Sequence, residues 1–210
     1  MYEVLKEMEK ALMDLESINL KDLKGENTAI IVVDMVRGFY DVGPLASSRV
    51  KNIISPLVKL NDKTTGYKKV FFIDCHEECS SEFNAYPPHC IADTVESELI
   101  EELKVYTKNN KVIKKNSTNG FHTKEFQQWL KENSSINNFI VTGVCTDICV
   151  ETLAISLITY FNEINEEKNI IVPMNLVETY DLGIHNGDLM NLISLYKMKI
   201  NGINIVKYIE

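Results

Sequence analysis

The sequence contains no apolar run approaching the length of a membrane span, and its first residues lack the apolar h-region of a secretory signal. Both absences predict no membrane partner and a cytoplasmic location. There is no dense basic stripe, and the formal net charge is −8, with 22 Lys and Arg against 30 Asp and Glu. Such a chain offers no electrostatic footprint for a phosphate backbone, which predicts no nucleic acid partner. Internal repeats and low-complexity segments are missing, which removes solenoid architectures. The five cysteines, Cys75, Cys79, Cys90, Cys145 and Cys149, are an odd number and form no paired CxxC hooks. They suit a reduced enzyme better than a disulfide framework or a cysteine-rich zinc site. What remains is an ordinary globular composition, 45% hydrophobic and 25% charged over 210 residues, enough for one domain with a full core.

Short β-branched runs alternate with helical patterns along the chain. Residues 2–15 read as a helix with Val4, Leu5, Met8, Leu12 and Leu15 on one side, followed by a polar connection over 19–27. Strands are predicted at 29–33, 70–73, 112–113, 139–141, 170–172 and 203–206. Helices are predicted at 48–60, 95–104, 123–132, after Cys149, and at 188–197, with a long polar loop from Asp74 to about Asp93. Continuous apolar strands separated by helices imply a parallel sheet covered on both faces. The expectation is an α/β fold: a single-domain, open, parallel six-stranded sheet with helices on both faces, Rossmann-like. Residues 1–24 read as an N-terminal helical extension and 25–210 as the domain proper.

Parallel strands bring their carboxyl ends to one edge, where open α/β sheets bind ligands. Asp34 ends the first strand, and Lys115 follows the third. Gly143 breaks the fourth, and Thr146 or Asp147 is placed to cap the next helix, which puts Cys149 in its first turn. Free amides and the positive end of the helix dipole predict a lowered thiol pKa there. Asp34, Lys115 and Cys149 can therefore converge, the carboxylate taking the thiol proton and the lysine offsetting charge. A small buried cysteine, a loop-start aspartate and a surface lysine are the alternative reading of the same residues.

A second constellation lies between Asp74 and His89. Asp74, His76, Glu82 and His89 supply two imidazoles and two carboxylates, a donor set that suits zinc, iron or manganese. Asp74 and His76 share one side of an extended segment, and Pro87 and Pro88 stiffen the approach to His89. His122 and His185 have no comparable partners and read as loop or surface histidines.

The chain resembles the isochorismatase-like cysteine hydrolases, and within them the nicotinamidase/pyrazinamidase branch. The resemblance runs from about Thr28 to Val206. Asp34-Met35 with Phe39 and Gly43 to Ser47 resembles the first catalytic loop; Lys114-Lys115-Asn116 with Phe121 resembles the lysine loop; Gly143 to Val150 resembles the nucleophile motif. The resemblance implies a triad of Asp34, Lys115 and Cys149. Family members place the lysine six residues before the phenylalanine, and counting back from Phe121 selects Lys115 over Lys114. It further implies a cis bond before Cys145, an oxyanion hole from the amides of Cys145 and Cys149, and Phe39 and Tyr86 as substrate-binding walls. One divalent metal ion is implied at Asp74, His76, Glu82 and His89, with zinc first and iron or manganese as alternatives. The implied activity is hydrolysis of a small-molecule amide substrate, nicotinamide, to nicotinate and ammonia for NAD salvage, by a homo-oligomer. A metal-free amidase or carbamoyl hydrolase, or a non-catalytic binding member of the fold, are the competing readings.

Overall fold

The computed structural model describes residues 2–210. Its centre is a parallel sheet of β1 (Thr28–Val33), β2 (Lys68–Asp74), β3 (Lys111–Lys115), β4 (Asn138–Val144), β5 (Asn169–Pro173), β6 (Val177–Glu178) and β7 (Asn204–Val206). The order is β3-β2-β1-β4-β5-β7, with β6 paired to β4. The expected sheet of six strands thus gains a seventh. β5 covers β4 only along Asn138–Ile140, and β6 takes the same edge further on at Gly143 and Val144. A two-residue strand has too short an apolar run to announce itself in sequence.

The strands are apolar on both faces because both faces are covered. Ile31 and Val33 point into a core shared with Leu153 and Leu157, while Ile30 and Val32 point into one shared with Ile53 and Leu57. The first layer comprises α1 (Tyr2–Met13), α5 (Lys124–Glu132), α6 (Glu151–Glu163) and α7 (Gly187–Ile200); the second comprises α2 (Arg37–Tyr40), α3 (Lys51–Lys63) and α4 (Glu101–Lys104). α1 packs on α7 and buries Leu12 in the first core. Among the described residues no helix is long and apolar enough to cross a membrane.

Three local expectations differ from the structure. The helix expected over 95–104 is broken: a 3-10 turn at Val95–Ser97 is followed by extended Leu99, which bridges to Val36, and only Glu101–Lys104 is α-helical. Apolar spacing alone does not register that bridge. Gly143 does not break β4 but lies inside it at φ +105°, where an added Cβ would come within 2.0 Å of Val33 O. A side chain would force β1 and β4 apart. Lys115 closes β3 rather than following it.

Candidate functional site

Strand order reverses direction between β1 and β4, the crevice where doubly wound sheets bind ligands. Asp34 leaves β1 with φ +49°, in the left-handed region that non-glycine residues seldom occupy. On the other side, the Val144–Cys145 peptide bond is cis, and Thr146–Val150 forms a π turn that leads into α6. Cys145 O accepts from both Ile148 N and Val150 N at 3.1 Å, the second being the i to i+5 bond of that turn. Neither Thr146 nor Asp147 caps the helix, contrary to expectation: Thr146 Oγ1 has no partner among the described residues, and Asp147 Oδ2 meets His185.

Asp34, Lys115 and Cys149 meet at this edge. Lys115 Nζ lies 2.9 Å from Asp34 Oδ2, 2.6 Å from Asp74 Oδ1 and 3.7 Å from Cys149 Sγ. β2 and β3 pair Asp74 with Lys115 in register, so the lysine reaches inward past the end of β2. The alternation of β3 leaves Lys114 exposed and Lys115 2% exposed. Asp34 Oδ1 has no partner among the described residues, while Oδ2 is ion-paired with Lys115 Nζ.

The charges decide the resting state. Burial pushes the Asp34 carboxyl up to about 6, with Asp74 adding to the rise and Lys115 opposing it. Burial acts the same way on Asp74, but Lys115 and the hydrogen bonds from His76 and His89 win and hold it well below the usual carboxylate range. Lys115 resists its own burial because two carboxylates face it, and its pKa lies well above normal. The thiol of Cys149 goes up, not down: burial outweighs Lys115, and Asp34 and Asp74 add to the rise. This corrects the expectation of a lowered pKa. The helix-terminus argument assumes a partly exposed thiol, and this one is 5% exposed. Cys149 thus rests as a thiol beside the Asp34 carboxyl.

The second constellation shares Asp74 with the first. Asp74 Oδ2 lies 3.0 Å from His76 Nε2 and 3.1 Å from His89 Nε2, and Glu82 Oε1 stands 3.9 Å from His76 Nε2. The tautomers follow from the neighbours. Glu77 N donates to Asn116 Oδ1 at 3.1 Å, which makes that atom an acceptor, so His76 Nδ1, 3.3 Å away, carries the hydrogen it receives. His89 Nδ1 likewise donates to Pro87 O at 2.8 Å. Both Nε2 atoms then converge on one carboxylate oxygen, a contact that a hydrogen on each nitrogen or a single cation satisfies. Asp74, His76 and His89 offer ligand atoms all within 4.8 Å of one another. The donor set fits a divalent ion, with outer hydrogen bonds that orient the imidazoles as metal sites require. Glu82 Oε2 accepts from Thr118 N at 2.7 Å, which leaves Oε1 facing the cluster.

A narrow cleft joins the two halves, lined by Asp74, Glu82 and His89 on one side and Cys145 and Cys149 on the other. Phe39 and Tyr86 line it as expected, with ring centroids 5.7 Å and 6.0 Å from that of His89. Leu45, Ile148 and Tyr180 also line it and were not foreseen. Tyr180 arrives on an irregular segment after β6, and no sequence period marks it. His185, expected on the surface or a loop, is partly buried and stacked on Tyr180.

A doubly wound sheet with a small cleft at its switch point describes a broad class, and the chain belongs within it to the isochorismatase family, whose isochorismatase domain matches residues 28–194. Similarity within the family runs to nicotinamidases. Nicotinamidase 1 of Arabidopsis thaliana is 28% identical over 217 residues, covering 89% of this chain and 88% of that protein. The nicotinamidase/pyrazinamidase of Bacillus subtilis superposes with a TM-score of 0.74 at 22% identity, over 86% of this chain and all (100%) of that one. The pyrazinamidase of Pyrococcus horikoshii in complex with zinc superposes with a TM-score of 0.66 at 23% identity, over 86% and 98% of the two chains.

Proposed function

We propose that this protein is a metal-containing nicotinamidase that hydrolyses nicotinamide to nicotinate and ammonia, feeding NAD salvage in the cytoplasm. Residues 25–210 are the hydrolase domain and 1–24 an extension of it. The observation that carries the reading is Asp74, whose two oxygens face Lys115 on one side and His76 with His89 on the other. A metal-free amidase or carbamoyl hydrolase has no use for the second half of that arrangement.

Asp34 takes the proton of Cys149 as the sulfur attacks the carboxamide carbon. Lys115 keeps the combined charge of Asp34, Asp74 and the developing thiolate compensated. The carbonyl oxygen becomes an oxyanion held by the amides of Cys145 and Cys149. Protonated Asp34 then gives its proton to the departing nitrogen, which leaves as ammonia and a thioester at Cys149. Asp34, again a carboxylate, deprotonates the water that cleaves the thioester, releasing the acid and restoring the thiol. Asp74, His76, Glu82 and His89 would hold the divalent ion, zinc in the first instance, which when bound would supply a Lewis-acid position for the pyridine nitrogen. Phe39 and Tyr86 flank the ring.

Ammonia release from nicotinamide and from benzamide tests the reading. Benzamide has the same shape without the ring nitrogen, and a site built to bind that nitrogen discriminates by up to about 10⁴-fold. Equal turnover of the two by protein without bound metal would replace this reading with the metal-free amidase.

A further inference from the structure

The segment from Tyr180 to Gly187 forms a clip beside the cleft. Leu182 and His185 exchange two backbone hydrogen bonds of 3.1 Å and 3.0 Å across a turn in which Gly183 has φ +59°. Asp181 fastens the far end: its Oδ1 accepts from Gly187 N at 2.6 Å and its Oδ2 from Arg49 Nη1 at 3.3 Å. The same guanidinium holds Glu178 at 3.1 Å and Asp188 at 2.7 Å. The near end carries Tyr180, which lines the cleft together with Cys145, Ile148 and Cys149.

His185 ties this clip to the turn that bears Cys149. Its ring lies flat on that of Tyr180, centroids 4.1 Å apart at 15°. Its Nδ1 donates to Tyr180 O at 2.9 Å, and its Nε2 stands 2.9 Å from Asp147 Oδ2. A carbonyl only accepts, so the hydrogen on Nδ1 is fixed, and Nε2 faces the Asp147 carboxylate at hydrogen-bond distance. Asp147 is two positions before Cys149, its side chain is 5% exposed, and its Oδ1 has no partner among the described residues. Nothing in the hydrolysis itself employs Asp147 or His185.

We infer that Asp147 and His185 are positioning residues: they brace Tyr180 as a wall of the cleft and so set the size of the amide that reaches Cys149. The effect on nicotinamide rests on the activity proposed above; the size gate at Cys149 does not.

Alkylation mapped to Cys149 by mass spectrometry tests the brace, with iodoacetamide as the small reagent and iodoacetanilide as the bulky one. The variants are His185→Ala, His185→Gln and Tyr180→Ala, each checked for a wild-type melting profile. In the two alanine variants the preference of Cys149 for the small reagent should shrink by about tenfold. KM for nicotinamide should rise by a similar factor in His185→Ala, with a smaller change in kcat. His185→Gln, whose amide donates through both hydrogens, should recover most of the wild-type preference. A reagent ratio unmoved in both folded alanine variants, or glutamine no better than alanine, would overturn the brace. If wild type leaves nicotinamide intact while the ratio shifts as stated, the brace stands and the substrate reading falls. Nicotinamide turnover with an unmoved ratio removes the brace alone.

Discussion

Asp74 Oδ1 lies 2.6 Å from Lys115 Nζ, and through this contact the two halves of the site share one carboxylate. Lys115 therefore responds to whatever Asp74 holds on its other oxygen. A cation at His76 and His89 would draw negative charge from Asp74 and leave more of the lysine's charge for Asp34 and Cys149.

Lys115→Met should lower amide hydrolysis by roughly 10²-fold or more, within the range of lost acid–base support. It should also destabilise the fold by about 3–5 kcal/mol, because Asp34 would remain buried without its ion-pair partner. Lys114→Met, on the exposed side of β3, should leave activity within a fewfold of wild type and the melting profile unchanged. Steady-state kinetics and urea titration read both effects, and equal behaviour of the two variants would count Lys115 out of the chemistry.

Metal removal should separate binding from nucleophile. Dialysis against a chelator, or His89→Ala, should lower bound metal and nicotinamide turnover together while Cys149 still reacts with iodoacetamide. Metal analysis, ammonia assay and mass spectrometry provide the three readouts. Full turnover by metal-free protein would contradict a role for the cluster in substrate binding.

The pH profile should follow Asp34. The base must be ionised to take the thiol proton, so kcat/KM should rise with pH through about 6 and level above it, while Asp34→Asn stays at background throughout. Stability runs the other way. The folded state holds the Asp34 proton more tightly than the unfolded chain does, so this group supports folding below its ordinary value of 3.8 and loses that support as pH rises through about 6. Relative to Asp34→Asn, wild type should lose stability across that window in urea titrations at fixed pH values. A flat difference would mean that Asp34 has an ordinary pKa.

Much of the architecture is legible in the sequence because the central strands are buried on both faces and read as unbroken β-branched runs ending at Asp34 and Asp74. Parallel strand ends then make a meeting of Asp34, Lys115 and Cys149 at one edge a geometric consequence. Features set by distant partners are not legible. The direction of the Cys149 shift depends on full burial and on Asp74, which belongs by sequence to the other constellation. The break in the helix at Leu99 depends on Val36, and the partial burial of His185 on Asp147 and Tyr180, none of them neighbours in sequence.

The two cysteines of the nucleophile turn should separate by mechanism. Cys149 Sγ is the sulfur within 3.7 Å of Lys115 Nζ, at the edge that also presents Asp34. Burial raises the Cys145 thiol far above its ordinary value, and Asp147 raises it further. In the proposed mechanism Cys145 contributes its backbone amide, which alanine keeps. Cys149→Ala should therefore reduce hydrolysis by on the order of 10⁴-fold or more, as loss of a nucleophile does, with folding and metal content intact. Cys145→Ala should retain much of the activity, paying only for a small change in packing against Thr179. Thioester or alkyl adducts trapped during turnover and mapped by mass spectrometry should fall on Cys149. An adduct on Cys145, or equal loss in the two variants, would reverse the assignment.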